Sequence, residues 1–128
     1  MVPQAMELEP LLGALAAVGY RPRDLALGRL DCHCFDELGL LVAVGGHGKT
    51  QLAVQTQHLI EQRPTARSVI CAGAARAARF SGLRFLKLRA ITDAADHAAA
   101  SDFEANLARS MPNLGHLLLS WSLARAQP

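Results

Sequence analysis

Leu8, Leu11, Leu12 and Leu15 recur at helical spacing, so the opening segment reads as an amphipathic helix that Gly19 brings to an end. Pro10 fits such a helix in its first turn, where the missing N–H has no partner to lose. Residues 30–35 alternate as a half-buried strand, "DELG" is a turn, and residues 40–44 form a continuous apolar strand, so the pair suggests a hairpin. Beyond a glycine turn, Leu52, Thr56, Leu59 and Ile60 line one side of a helix while Gln55, His58 and Gln62 line the other, with Pro64 just past its end. Residues 68–73, "SVICAG", are a second buried strand. Strand, helix and strand at this spacing predict a right-handed parallel crossover.

The second half is less regular. "AARAARF" is short and alanine-rich, residues 83–91 read as a strand ending at Ile91, and "TDAADHAAA" is a polar loop. Ser101 and Glu104 make a capping box for a long helix with Phe103, Leu107, Met111, Leu114, Leu118 and Trp121 on one side, kinked at Pro112. The class is α/β. The arrangement expected is a three-layer α/β/α sandwich on a mixed sheet, as a single domain over residues 1–128, with the strands at 40–44, 68–72 and 83–91 at its centre. Ligands of such folds bind beyond the carboxyl ends of the strands, here the loops at 45–49, 73–76 and 92–97.

Composition supports one folded core: 128 residues are 51% hydrophobic and 19% charged. A net charge of +2 gives no reason to expect nucleic acid or an acidic membrane as partner. Arg76, Arg79, Arg84, Lys87 and Arg89 form a local basic run, which reads as a solvated face. The first twenty residues lack a basic segment before an apolar core, and no stretch reaches membrane-spanning length, so a cytoplasmic protein is expected. Three cysteines suit a reducing compartment. Cys32-His33-Cys34 does not suggest a metal site, because consecutive strand residues face opposite sides. No metal or cofactor is expected.

"VGGHGKTQ", residues 44–51, looks like a phosphate-binding loop. A Walker A turn needs a glycine five positions before Gly-Lys-Thr, and Ala43 stands there. With strand running to Val44, only Gly45, Gly46, His47 and Gly48 precede Lys49, too short a cradle for a triphosphate. The turn therefore needs another role.

"AMELEPLL", "VGGHGKTQLAVQTQHLI", "VICAGAA" and "FLKLRAITDAAD" occur in the order of four landmarks of the nucleoside phosphorylase and nucleosidase superfamily, and the chain is most similar to its methylthioadenosine/S-adenosylhomocysteine nucleosidase branch. The resemblance implies cleavage of the N-glycosidic bond of a purine nucleoside. Under it Glu9 activates the attacking water, Asp93 protonates the purine at N7, Arg89 orients that network, and Thr92 stands in the place of the serine or threonine before the acid, among the substrate-binding or orienting residues. It also implies that Gly46 lines the pocket and that the backbone at Gly73 and Ala74 flanks the ribose. The partners implied are a purine nucleoside substrate and a second copy of the chain in a dimer.

The chain is also shorter than such a family member. The block between the "CAGAA" strand end and the final strand is almost absent, and with it the segments that stack the base and hold the ribose hydroxyls. Arg76 stands where the family has glycine, and the apolar first strand is reduced to residues 1–4. Three functions stay open: an impaired nucleosidase, a non-catalytic remnant that self-associates or pairs with a full-length relative, and, least supported, a nucleotide-binding module built on residues 45–49.

Overall fold

The computed structural model describes residues 1–70, 74–88 and 99–126. Helix α1, Ala5–Ala17, buries the expected leucines Leu8, Leu11 and Leu15. It begins earlier than the leucine spacing predicts, so Pro10 is its sixth residue and not part of the first turn. The carbonyl four residues back, on Met6, loses its helical donor. Met6 lies at the surface, where water is at hand. Gly19 closes the helix at φ 98, a left-handed conformation that only glycine adopts freely, and the next N–H, on Tyr20, returns to the Leu15 carbonyl at 3.1 Å.

Strands β1 (Arg23–Leu27), β2 (Leu30–Phe35) and β3 (Leu40–Ala43) form an antiparallel sheet in that order. The β2–β3 hairpin is the expected one, with a 3-10 turn at Asp36–Leu38 and Gly39 at φ 56 between its arms. Strand β1 has no clear signal in the sequence. It is five residues long, opens with the charged pair Arg23 and Asp24, and follows Pro22. Its place comes from pairing with β2 through a two-residue connection, with Gly28 at φ 62.

Helix α2, Gly48–Gln62, buries Leu52 and Thr56. After it come β4 (Ser68–Ile70), helix α3 (Ala75–Phe80) and β5 (Arg84–Leu86), with β4 and β5 parallel. The expected continuations of these strands, residues 71–73 and 89–91, lie outside the described residues. Helix α4 runs Ala99–Ala126. Ser101 is inside it, with helical backbone in place of the extended conformation an N-cap needs, so the capping-box reading is corrected. Pro112 is accommodated without ending the helix.

The parallel crossover also needs correction. β3 and β4 are not neighbours, because the strands among the described residues divide into a three-stranded and a two-stranded sheet. Val2 lies against β3 in a parallel bridge to Val44, its N–H donating to Ala43 at 2.9 Å and its carbonyl accepting from Gly45 at 2.7 Å. The nitrogen of Met1 donates to the Ile70 carbonyl of β4 at 3.0 Å. Two residues of the opening segment therefore join the sheets. β3 has already used one edge on β2, and its other edge takes Val2 instead of β4.

Alternation along β2 and β3 sends side chains to two cores. Phe35, Leu40, Val42 and Val44 pack with α1 and α4. Leu30, Cys32, Leu41 and Ala43 pack with Leu59 of α2. The fold is mixed α/β. α1 and α4 approach closely at Gly115, where an added Cβ would come within 2.7 Å of the Ala14 methyl. Gly115→Leu is therefore expected to lower unfolding free energy by about 1–3 kcal/mol through overpacking. Gly13→Ala, on an exposed position of α1 with open space around it, is expected to raise it by about 0.5–1 kcal/mol. Urea denaturation of the two variants checks both signs.

Candidate functional site

The Val2 bridge brings three segments to the carboxyl ends of β3 and β4. The first is the opening segment that runs into α1, whose first two turns carry Glu7 and Glu9. The second is the turn at residues 45–48, and the third is the end of β4 leading to Ala74. The chain can turn so sharply after β3 because Gly46 and Gly48 take φ 79 and 77. Gly45 has no room for a side chain, since a Cβ there would run into Leu52 and Met1. The Gln55 amide, its nitrogen turned toward the loop, donates to the Val44 and Gly45 carbonyls at 3.2 and 3.0 Å. One residue of α2 thus ties the helix to the turn that starts it.

Gly46 is half-buried beside the Gln51 side chain, while His47, Gly48 and Lys49 are exposed. Ala74 is fully buried, in the apolar cluster that holds Leu52, Val69 and Ala78. Glu9 is exposed on α1. Glu7 is half-buried beside it and faces the interior. The two cannot share a face, since residues two apart on a helix lie on different sides. Burial pushes the Glu7 carboxyl above its ordinary value, and His47 pulls it part of the way back. Sequence reasoning passed over Glu7, although it precedes Leu11 by four residues and so shares a buried stripe. Asp93, Gly73, Arg89 and Thr92 lie outside the described residues.

Glu7 stands at one end of a cleft of about 840 Å³ that runs between β3 and β4, with α2 on one side and α4 on the other. Its walls are mainly apolar, from Leu41, Val69, Leu59, Leu107 and Met111. Two hydroxyls on that wall, Thr56 Oγ1 and Ser122 Oγ, are buried without a hydrogen-bond partner. Unpaired buried hydroxyls are uncommon, because each forfeits its hydration. Trp121 also lines the cleft, with the Arg125 guanidinium 5.0 Å above its ring.

The Cys32-His33-Cys34 run is divided as strand geometry requires. Cys32 is buried on the α2 side, the Cys34 thiol donates to Asp36 Oδ1 at 3.0 Å, and His33 Nδ1 meets Asp24 at 2.8 Å. Burial, followed by the hydrogen bond and charge of Asp36, raises the Cys34 thiol, which keeps it a poor nucleophile. Arg23 holds the Asp36 carboxylate in a two-pronged contact at 2.9 and 3.0 Å that lowers its pKa. Arg76, Arg79, Arg84 and Lys87 are all exposed. Among the described residues no three His, Cys, Asp or Glu side chains gather to hold a metal ion, and no helix is long and apolar enough to cross a membrane.

The raised Glu7 pKa fixes the sign of a pH effect. The folded chain holds this proton more tightly than the unfolded chain, so stability is lost as pH rises from the ordinary carboxyl value of 4.5 through the folded value. Glu7→Gln removes the charged form, so it is expected to raise the melting temperature at pH 7 and to lose that advantage below pH 4.5. Melting curves of both proteins across pH 3.5–8 read this directly. No family model, curated protein or solved structure matches the chain.

Proposed function

We propose that the chain is a shortened three-layer α/β/α domain of the nucleoside phosphorylase and nucleosidase type that acts on the N-glycosidic bond of a purine nucleoside in the cytoplasm. The observation that carries this reading is the meeting of the α1 entry, the glycine turn and the end of β4 at one edge of the strands, where open α/β sheets bind ligands. In the reaction, the bond between the sugar carbon and the purine nitrogen breaks, N7 gains a proton, and a water oxygen adds to the sugar as its proton passes to a carboxylate. An adenine anion leaves poorly, so the acid is indispensable, and Asp93 is assigned that role. The carboxylate that accepts the water proton comes from α1. The resemblance marks Glu9, whereas burial and the raised pKa give Glu7 the character of a proton-transfer group. With the ribose-holding block absent, positioning is weak and turnover slow.

The test is adenine release from methylthioadenosine and S-adenosylhomocysteine. The wild type is expected to release adenine above buffer, and Asp93→Asn to fall by about 10²–10⁴, to background. Of Glu7→Gln and Glu9→Gln, the one that falls likewise identifies the base. Equal background release by all four proteins removes the enzyme reading. A second reading, a non-catalytic chain that self-associates, draws on exposed Phe80, Val54 and Leu117, at 86%, 64% and 53%. It requires a dimer or larger species in sedimentation of the same inactive protein, and a monomer there excludes it.

A further inference from the structure

We infer that the outer face of α3 and the turn that follows it bind single-stranded nucleic acid, with Arg76, Arg79 and Arg84 on the phosphates and Phe80 stacked on a base. These side chains take no part in the proposed cleavage of a nucleoside, so the inference stands whether or not the chain is an enzyme.

The small net charge of the chain conceals a segregation. From Gln62 to Thr92 it carries seven basic residues and no acidic one, while all eleven acidic residues lie elsewhere with the other six basic ones. Folding gathers part of this stretch instead of dispersing it. Ala74 and Ala78, four residues apart, turn into the apolar cluster with Leu52 and Val69. Arg76, Arg79 and Phe80, three and four residues apart, stand on the opposite side of α3 as neighbours about 5–6 Å apart at Cβ. All three are exposed. Gly82, at φ 68, then reverses the chain, its N–H donating to Arg79 at 3.2 Å and that of Leu83 to Ala78 at 2.8 Å, so Arg84 opens β5 close to the end of α3. The Arg84 N–H donates to the Arg67 carbonyl at 3.4 Å, which sets a further exposed arginine beside it. Among the described residues none of these four arginines has an ion-pair partner. Glu61 of α2 reaches the end of α3 through Gln57, which accepts from Ser81 at 3.2 Å, but its carboxylate is taken by the Gln57 amide at 3.1 Å.

Like charges crowded along one track repel one another, and a polyanion laid over them relieves that repulsion as it releases its own counterions. Phe80 decides which polyanion. It is 86% exposed, more than any other large apolar side chain among the described residues, and arginine flanks it on its own face. An acidic peptide would use the arginines and leave the ring in water. An anionic membrane would need an apolar helix face to insert, and the one that α3 has is already buried with Leu52 and Val69. A duplex keeps its bases stacked within itself. Single-stranded nucleic acid uses both features, because it offers a row of phosphates to the arginines and an open base face to the ring.

The probe is a fluorescein-labelled oligothymidylate of about eight nucleotides, added to the whole chain at low salt and followed by anisotropy. The expected result is saturable binding that weakens as salt rises. Phe80→Ala is expected to weaken it about fivefold or more, and Phe80→Trp to retain it. Each phosphate contact removed flattens the log–log salt dependence by about 0.7, so Arg76→Gln combined with Arg79→Gln is expected to flatten it by about 1.4. Arg109→Gln, exposed on α4 and outside the track, is expected to change neither affinity nor slope. An abasic oligomer with the same number of phosphates is expected to bind the wild type no better than oligothymidylate binds Phe80→Ala. Equal binding of the abasic and thymidylate oligomers, or an unaltered affinity in Phe80→Ala, would show a charged surface that reads no base, and the proposal fails. It also fails if phosphatidylserine vesicles bind and the oligomer does not, which assigns the face to a membrane. Absence of binding at low salt by a chain that melts cooperatively overturns it as well.

Discussion

Three backbone hydrogen bonds from the first two residues hold this fold to one shape. Val2 completes the free edge of β3 with two of them, and Met1 reaches β4 with the third. Without them, among the described residues, the antiparallel sheet of β1–β3 and the parallel pair β4–β5 would share only helices and apolar clusters. Main-chain bonds suit this role because they fix both register and spacing, whereas apolar contact is non-directional. Gly45 shows how closely the parts meet: it receives Val2 on its backbone and leaves no space for a side chain before Leu52 and Met1.

Much of this was legible in the sequence, and the parts that were not have physical causes. The stripe Leu8, Leu11 and Leu15, the 40–44 run and the Leu52–Thr56 face each follow from periodicity, because burial on one side of an element imposes it. Strand β1 escaped because a short edge strand draws its stability from its partner and carries little pattern of its own. The crossover failed at one point: a helix of the right length between two apolar strands does not say whether they become neighbours or leave a position between them. Met1 and Val2 carry no alternation of their own, and only the resemblance assigns residues 1–4 to a strand. The meeting of the glycine turn and the end of β4 at the carboxyl ends of the strands was legible, but the half-buried carboxylate beside them was not. Glu7 and Glu9 sit two apart, and only the actual start of α1 decides which one turns inward.

The same two residues link the fold to the candidate site. By pairing with Gly45 and Ile70 they set the α1 carboxylates beside the glycine turn, with Glu7 half-buried and His47 close enough to act on it. They also line the cleft. The cleft between β3 and β4 is walled by α2 and α4.

The most direct measurement is hydrogen exchange at single amides in the isolated chain. If the seam holds the two sheets together, the Val2 and Gly45 amides exchange with protection comparable to the interior positions of the β2–β3 ladder, and opening requires unfolding of both sheets. Exchange of Val2 and Gly45 at the rate of a free chain, while β2 and β3 stay protected, would contradict this account. It would show that the sheets fold without the strand of two residues between them.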